Sequence, residues 1–345
     1  MITVIIPIYN GVDQGLTKCL ESLSSQSKRD TEVIAVDDAS TDDSSKVISD
    51  FTSKINLKLL RNEENMGLAF SLNRAISNSE GEYVLIIHQD CELSGTSVLE
   101  DSELFMNQNQ DVGVLVGNQI YFFSEMNIYQ KFSEFRLNHL ALSFEVNSFI
   151  SLTENKCDLI RMSALKKIGK FDSDFRTAGE DHMFSYRALK TGVRIFKGNV
   201  LRFRDFLRGE STFYGVMRRE FKYGVHVTIE IRKIRKFALG LGKNNSSFEG
   251  PKVKNRELAL ITAFSIMVFA IASIATRSYY VFFPTFVFFG YRGVDLYFLL
   301  KKVNLKIPDL KLSFLHSFIL TILSDFVYSA GFVTGTLKML VTSSV

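Results

Sequence analysis

The chain has 345 residues and a formal net charge of only +4, enough length for one α/β domain and a smaller second unit. Its positive charge gathers before and between apolar runs near the C-terminus, which favours an anionic membrane surface as partner and argues against nucleic acid. Cys19, Cys91 and Cys157 are widely spaced and outside any metal-ligand pattern, in keeping with a reducing cytosol.

The first predicted element is a strand over Thr3-Val-Ile-Ile-Pro-Ile-Tyr-Asn10, closed by the turn-favouring Asn10-Gly11. Met1-Ile2-Thr3 runs straight into it, so no signal peptide is expected ahead of it. Leu16, Leu20 and Leu23 recur at helical spacing, and Glu32-Val-Ile-Ala-Val-Asp-Asp38 reads as a second strand. A strand, helix, strand unit of this size implies parallel pairing with a right-handed crossover. A third unit follows, with Lys58-Leu59-Leu60 as strand and Gly67 to Ile76 opening a helix. No Gly-x-Gly-x-x-Gly follows the first strand, which argues against a dinucleotide fold. Tyr9 and the pair Asp37 and Asp38 stand at strand ends instead, suited to stacking on a base and to hydrogen bonding with its imide or with ribose hydroxyls. The competing role for Asp38 is a helix cap, with Ser40 and Asp42 as rivals.

Val84 to Ile87 forms a fourth short strand, ending in His88, Asp90 and Glu92. Metal-capable side chains at alternate positions past a strand converge on a cation at the carboxyl edge of an open sheet. The alternative is a polar strand-to-helix loop.

Val-Ile-Ile-Pro-Ile-Tyr-Asn, Val-Asp-Asp-Ala-Ser-Thr-Asp, Asn65-Met-Gly-Leu-Ala-Phe-Ser-Leu-Asn73 and His88-Gln-Asp-Cys-Glu92 together resemble family 2 glycosyltransferases of the GT-A fold. The motifs come in the family's order over residues 1 to about 235. The resemblance implies an α/β, Rossmann-like, mostly parallel sheet, a nucleotide-sugar donor, a divalent cation (Mn2+ or Mg2+) and an inverting transfer. It puts Pro7, Tyr9, Asn10, Asp37, Asp38, Gly67 and Asp90 at the donor.

A fifth run, Phe171 to Arg187, resembles the family's acceptor-side segment, in which a Gly-Glu-Asp sequence opens a helix and its last carboxylate is the base. On that match Asp181 is the base and Glu180 its neighbour. Direct displacement at an anomeric carbon needs such a carboxylate to take the acceptor hydroxyl's proton. The competing role for both acids is to favour a helix N-terminus. The chain departs from its relatives at the metal: His88 replaces the first acid of Asp-x-Asp, while Asp90 keeps the second position. His88 as a ligand would favour manganese. The His that many relatives carry further on is missing, and Arg202, Arg204, Asp205 and Arg208 fill that region. Ser211 to Gly224 resembles the family's basic helix, in which Arg218 and Arg219 would clamp the leaving diphosphate.

Beyond residue 230 the composition changes. Arg232, Lys233, Arg235, Lys236, Lys243, Lys252, Lys254 and Arg256 precede an uncharged apolar run, and two further runs follow. The expected domains are a catalytic domain over 1–235, a basic linker over 236–257 and a membrane domain over 258–345, with two to three helical spans near 258–277, 279–300 and 312–333, the second alternatively a re-entrant or interfacial segment. Arg292 and Asp295, three apart, are expected to pair on one helix face. The basic flanks put the catalytic domain in the cytoplasm of a multi-pass membrane protein. Aromatic residues between 120 and 160 are expected mostly in the core, with some shaping the acceptor site.

Three functions fit. The first is a membrane-anchored transferase acting on a hydroxyl, with a lipid-linked glycan as acceptor. The second is a polyprenyl-phosphate sugar synthase, whose acceptor is already ionised and needs no base; Asp181 favours the first. The third is a non-catalytic nucleotide-sugar-binding scaffold. Membrane lipids are partners in each, and homo-oligomers are common among anchored relatives.

Overall fold

The first strand, β1 (Ile2–Ile8), is buried on both faces. Ile2, Val4, Ile6 and Ile8 pack into one apolar cluster and Ile5 into another. Only a strand covered on both sides reads as so continuous an apolar run. The computed structural model describes residues 1–143, 146–173, 179–206, 211–240, 283–306 and 309–342. Among them β2 (Thr31–Asp37), β3 (Leu57–Arg61), β4 (Tyr83–Ile87), β5 (Cys91–Leu93), β6 (Val112–Gln119), β7 (Ser148–Ile150), β8 (Cys157–Arg161) and β9 (Arg194–Asp205) join β1. The nine-stranded sheet has the order β3-β2-β1-β4-β8-β6-β9-β5, with β7 paired to β9.

β3, β2, β1 and β4 are parallel neighbours, as the strand, helix, strand pattern requires. The crossovers carry α1 (Leu16–Ser24), α2 (Ser44–Ser49) and α3 (Leu68–Ile76). Beyond β4 the sheet turns mixed: β8 is antiparallel to β4 and β6, β9 is parallel to β6, and β5 is antiparallel to β9. The α/β reading therefore holds, with parallel pairing concentrated in the first half of the chain. α4 (Val98–Gln108), α6 (Met162–Ile168) and α7 (Glu180–Lys190) complete this part. One consequence positions the site. β1, β2 and β4 end at the same edge of the sheet; β8 begins there, and β9 ends there.

The chain divides into two compact units, Met1–Tyr121 with Phe144–Leu207, and Phe122–Ser143 with Arg208–Val345. The boundary expected at 235 falls inside the second. That unit holds α5 (Ile128–Ser143), α8 (Phe213–Gly240), α9 (Phe283–Lys306) and α10 (Phe314–Thr342). α8 is continuous to Gly240, so the basic run from Arg232 to Lys236 is helical and the expected linker starts within it. The expected span at 258–277 lies outside the described residues.

α8 and α10 cross at backbone contact. A Cβ on Gly224 would run into the Tyr328 carbonyl oxygen, and one on Gly331 into that of Phe221. Small residues at a crossing let two helices approach this closely. The charges within the apolar runs are matched internally. Arg136 donates to Glu220 at 2.9 Å and to Asp325 at 2.8 Å, and Arg292 donates to Asp325 at 3.0 Å. The expected Arg292–Asp295 pair is present at 3.5 Å. Asp325 is fully buried, and a buried charge on an apolar helix needs partners of this kind. Among the described residues one helix, over Phe314–Lys338, is long and apolar enough to cross a membrane. At 1.5 Å per residue its 25 residues reach about 37 Å, beyond the ~30 Å hydrocarbon core.

Candidate active site

Three strand ends meet at the carboxyl edge. At the end of β1, Tyr9 is 46% exposed and Asn10 takes a left-handed conformation with φ 49°. The Asn10 side chain accepts from the Thr41 N–H at 2.8 Å, while its own N–H donates to Ser40 Oγ at 3.0 Å. Pro7 lies within β1, opposite Val36. Gln89 locks this end to that of β4: its Oε1 accepts from the Tyr9 N–H at 2.9 Å, and its Nε2 donates to the Tyr9 carbonyl at 3.0 Å. Gln89 was part of a recognised motif, yet nothing in its spacing marks this cross-tie.

At the end of β2 the two acids divide their work. Asp37 is fully buried and accepts from the Ser40 N–H at 2.8 Å and the Ser45 hydroxyl at 2.7 Å. Asp38 accepts from Asn62 Nδ2 at 2.6 Å and from the N–H groups of Met66 at 2.9 Å and Gly67 at 2.8 Å. Asp38 thus ties the second motif to the third. Gly67, at φ 87° and ψ 167°, adopts a backbone that other residues avoid and opens α3. The N-cap position of α2 is Asp43, which makes no side-chain cap; Asp42, one residue earlier, accepts from the Ser44 N–H at 3.0 Å.

At the end of β4, Asp90 is buried, and burial together with the neighbouring Asp205 pushes its carboxyl up to about 6. Antiparallel pairing of β5 with β9 sets Cys91 opposite Asp205. Among the described residues Asp90, Cys91 and Asp205 form a buried set whose ligand atoms all lie within 4.8 Å of one another. Burial pushes the Cys91 thiol well above its ordinary range, so it stays protonated and the set offers two carboxylates. That oxygen chemistry fits Mg2+ or Mn2+. His88 is not in the set. Its Nε2 is buried and makes no hydrogen bond among the described residues. Burial and the Lys156 ammonium bring its pKa down to about 4, so the imidazole is neutral. Asp205 is the acid that sequence reading did not single out. It reaches the site through a strand pairing more than 100 residues long in sequence, which no local pattern reports.

Asp181 sits in the first turn of α7 and is partly exposed, next to buried Glu180. Its carboxylate accepts from the His182 N–H at 2.8 Å and lies within electrostatic reach of His88, Glu154 and Asp158. α7 is held by Ser185, whose hydroxyl accepts from the Thr153 N–H at 2.9 Å. Asn73 of α3 fixes the other side, donating to the Phe171 carbonyl at 2.7 Å and accepting its N–H at 2.8 Å. Residues 174–178 of the acceptor-side motif lie outside the described residues. Arg218 and Arg219 lie on α8 of the second unit, where Arg219 is 3.7 Å from Glu220. Of the aromatics between 120 and 160, Phe123, Phe132 and Phe135 are buried, while Phe122 and Phe149 are exposed.

Residues 3–169 match the model of glycosyl transferase family 2. This segment is a family 2 glycosyltransferase domain. Over 120 residues, 34% of the chain, the protein is 33% identical to glycosyltransferase GlyG of Streptococcus pneumoniae serotype 4, covering 38% of that protein. Over 196 residues, 56% of the chain, it is 27% identical to the poly(ribitol-phosphate) beta-N-acetylglucosaminyltransferase TarS of Staphylococcus aureus, covering 33% of it. The chain thus spans well under two thirds of the length of these relatives. The mannosyltransferase PcManGT of Pyrobaculum calidifontis, solved with GDP-Man and Mn2+, shares the fold with a TM-score of 0.60 at 20% identity. That match covers 98% of this chain and 87% of the other.

Proposed function

We propose that the chain is a membrane-anchored, inverting glycosyltransferase that moves a sugar from a nucleotide-sugar donor to a hydroxyl of a lipid-linked glycan. The observation that carries this reading is the buried Asp90–Asp205 pair at the sheet edge that also ends in exposed Tyr9, with Asp181 and Asp205 both within electrostatic reach of His88. Tyr9 stacks on the nucleoside base. Asp37, Asp38, Asn10, Pro7 and Gly67 shape the nucleoside site: hydrogen bonds fix the edge loops, so donor groups meet a rigid rim. Asp90 and Asp205 would hold the cation, with oxygen ligands that suit Mn2+ or Mg2+, while His88, outside that set, is a buried neutral imidazole. When bound, the cation supplies positive charge to the leaving diphosphate. Arg218 and Arg219 are proposed on sequence pattern alone as further partners of that diphosphate.

The acceptor oxygen attacks the anomeric carbon as the bond to the diphosphate breaks. Its proton passes to Asp181, and the nucleoside diphosphate leaves. A single displacement inverts the configuration. The long apolar helix over Phe314–Lys338 and the basic residues around it support a membrane location with the catalytic domain on the cytoplasmic side.

The test is release of nucleoside diphosphate by membranes carrying the wild-type chain or Asp181→Asn. Loss of turnover in the variant supports hydroxyl attack. Undiminished turnover supports the polyprenyl-phosphate reading, since an ionised acceptor needs no base. Absence of turnover in both, with every donor supplied, supports the scaffold.

A further inference from the structure

Antiparallel pairing of β4 with β8 sets Ile87 opposite Cys157. The next pair outward is His88 and Lys156, and the His88 N–H donates to the Lys156 carbonyl at 2.9 Å. This register delivers a lysine to the mouth of the acidic site. Its Nζ lies 2.5 Å from Asp205 Oδ2. The two side chains differ in access: Lys156 is 27% exposed and Asp205 only 2%. The lysine therefore comes in from the open side, onto an acid that is fixed in the wall.

Two carboxylates and one ammonium leave this group one negative charge, too few cations to balance both acids in a buried place. A divalent cation between Asp90 and Asp205 reverses the balance. The ammonium would then face a dication at close range while sharing Asp205 with it, and like charges that close repel strongly. The lysine stem is long and flexible, whereas an aspartate beside its own strand has nowhere to go.

We infer that Lys156 is a resident counter-cation of the Asp90–Asp205 pair, which gives up Asp205 when a divalent cation binds and turns to the donor's diphosphate. This rests on the transferase reading above and adds a role to that site: one positive group competes with the metal before the donor arrives and assists it afterwards. A lysine that only neutralised Asp205 for the sake of folding would not act in both directions.

Mn2+ titrated into the full chain without nucleotide, followed by the spin resonance of the free ion, separates these roles. Lys156→Met is expected to bind Mn2+ about tenfold more tightly than wild type, because its competitor is gone, and to bind UDP or GDP in Mn2+ about tenfold more weakly, the scale of one charge-assisted contact. Lys156→Arg should restore nucleotide binding to within about threefold of wild type, since it keeps the positive donor. Unchanged or weaker Mn2+ binding by Lys156→Met overturns the inference. Should that variant fail to fold, the wild-type chain gives the answer through acetylation of Lys156 read by mass spectrometry. Its labelling should rise with Mn2+ alone and fall when nucleotide is added. Labelling that ignores Mn2+, in a protein that binds Mn2+, overturns the inference and leaves the transferase reading in place. A wild-type chain that binds neither Mn2+ nor nucleotide overturns both.

Discussion

A carboxylate that removes the acceptor's proton matters to turnover and little to holding the donor. Asp181→Asn is expected to lower kcat by about 10² or more while nucleotide affinity, measured by calorimetry, stays within about twofold. Asp205→Asn, by contrast, should remove the metal-dependent part of nucleotide binding, as Asp90→Ala should, and leave the residual binding in EDTA unchanged. Asp158 makes a different prediction. It is buried in β8, accepts from the Asn155 N–H at 3.0 Å, and burial pushes its pKa up to about 8. A carboxyl whose folded pKa lies above its unfolded value, about 4, binds its proton more tightly when folded. Its contribution to stability is complete below about pH 4, declines as pH rises towards 8, and is flat beyond. Asp158→Asn should flatten the fall in Tm over that window, followed by thermal scans at fixed ionic strength. A slope equal to that of wild type would show that another group sets it.

At the scale of elements, the helix crossing is the sharpest feature. Tyr328 and Phe221 carbonyls stand where side chains on Gly224 and Gly331 would go. Gly331→Leu is therefore expected to force α8 and α10 apart and to destabilise the second unit by at least the ~1–3 kcal/mol typical of overpacking. Proteolysis of α8 in detergent would report it, and a variant as resistant as wild type would count against the crossing. How much of this was legible in sequence depends on range. β1, β2 and β4 announced themselves because apolar runs end in polar residues, and the parallel pairing followed from the helices between them. β9, Arg-Ile-Phe-Lys-Gly-Asn-Val-Leu-Arg-Phe-Arg-Asp, mixes charge and apolar residues without a clean period, so neither the strand nor its terminal Asp205 stood out. Lys156 was equally hidden, because its partner is set by the β4–β8 register. The Arg292–Asp295 pair was visible from spacing alone; the convergence of Arg292 and Arg136 on Asp325, which ties α5 to the much later α9 and α10, was not.

For the whole molecule, the two units carry separate burdens. The first holds the sheet edge with Asp90, Asp205 and Asp181, and its core lies in the two apolar clusters on opposite faces of the sheet. The second buries its charges among its own helices. Ending the chain at Gly240 would strip α8 of α10 and leave Arg136 without Asp325. Such a fragment is expected to elute as aggregates without detergent, and a monodisperse fragment would mean that α8 does not depend on α10. The transferase reading itself stands on a cation-assisted nucleotide site. Calorimetric titration of the full chain with UDP, GDP and dTDP, once in Mn2+ and once in EDTA, tests it most directly. Binding of one nucleotide that weakens at least about tenfold on removing the metal is expected, since the cation offsets charge on the diphosphate. Binding of none of the three, or binding indifferent to EDTA, would contradict it.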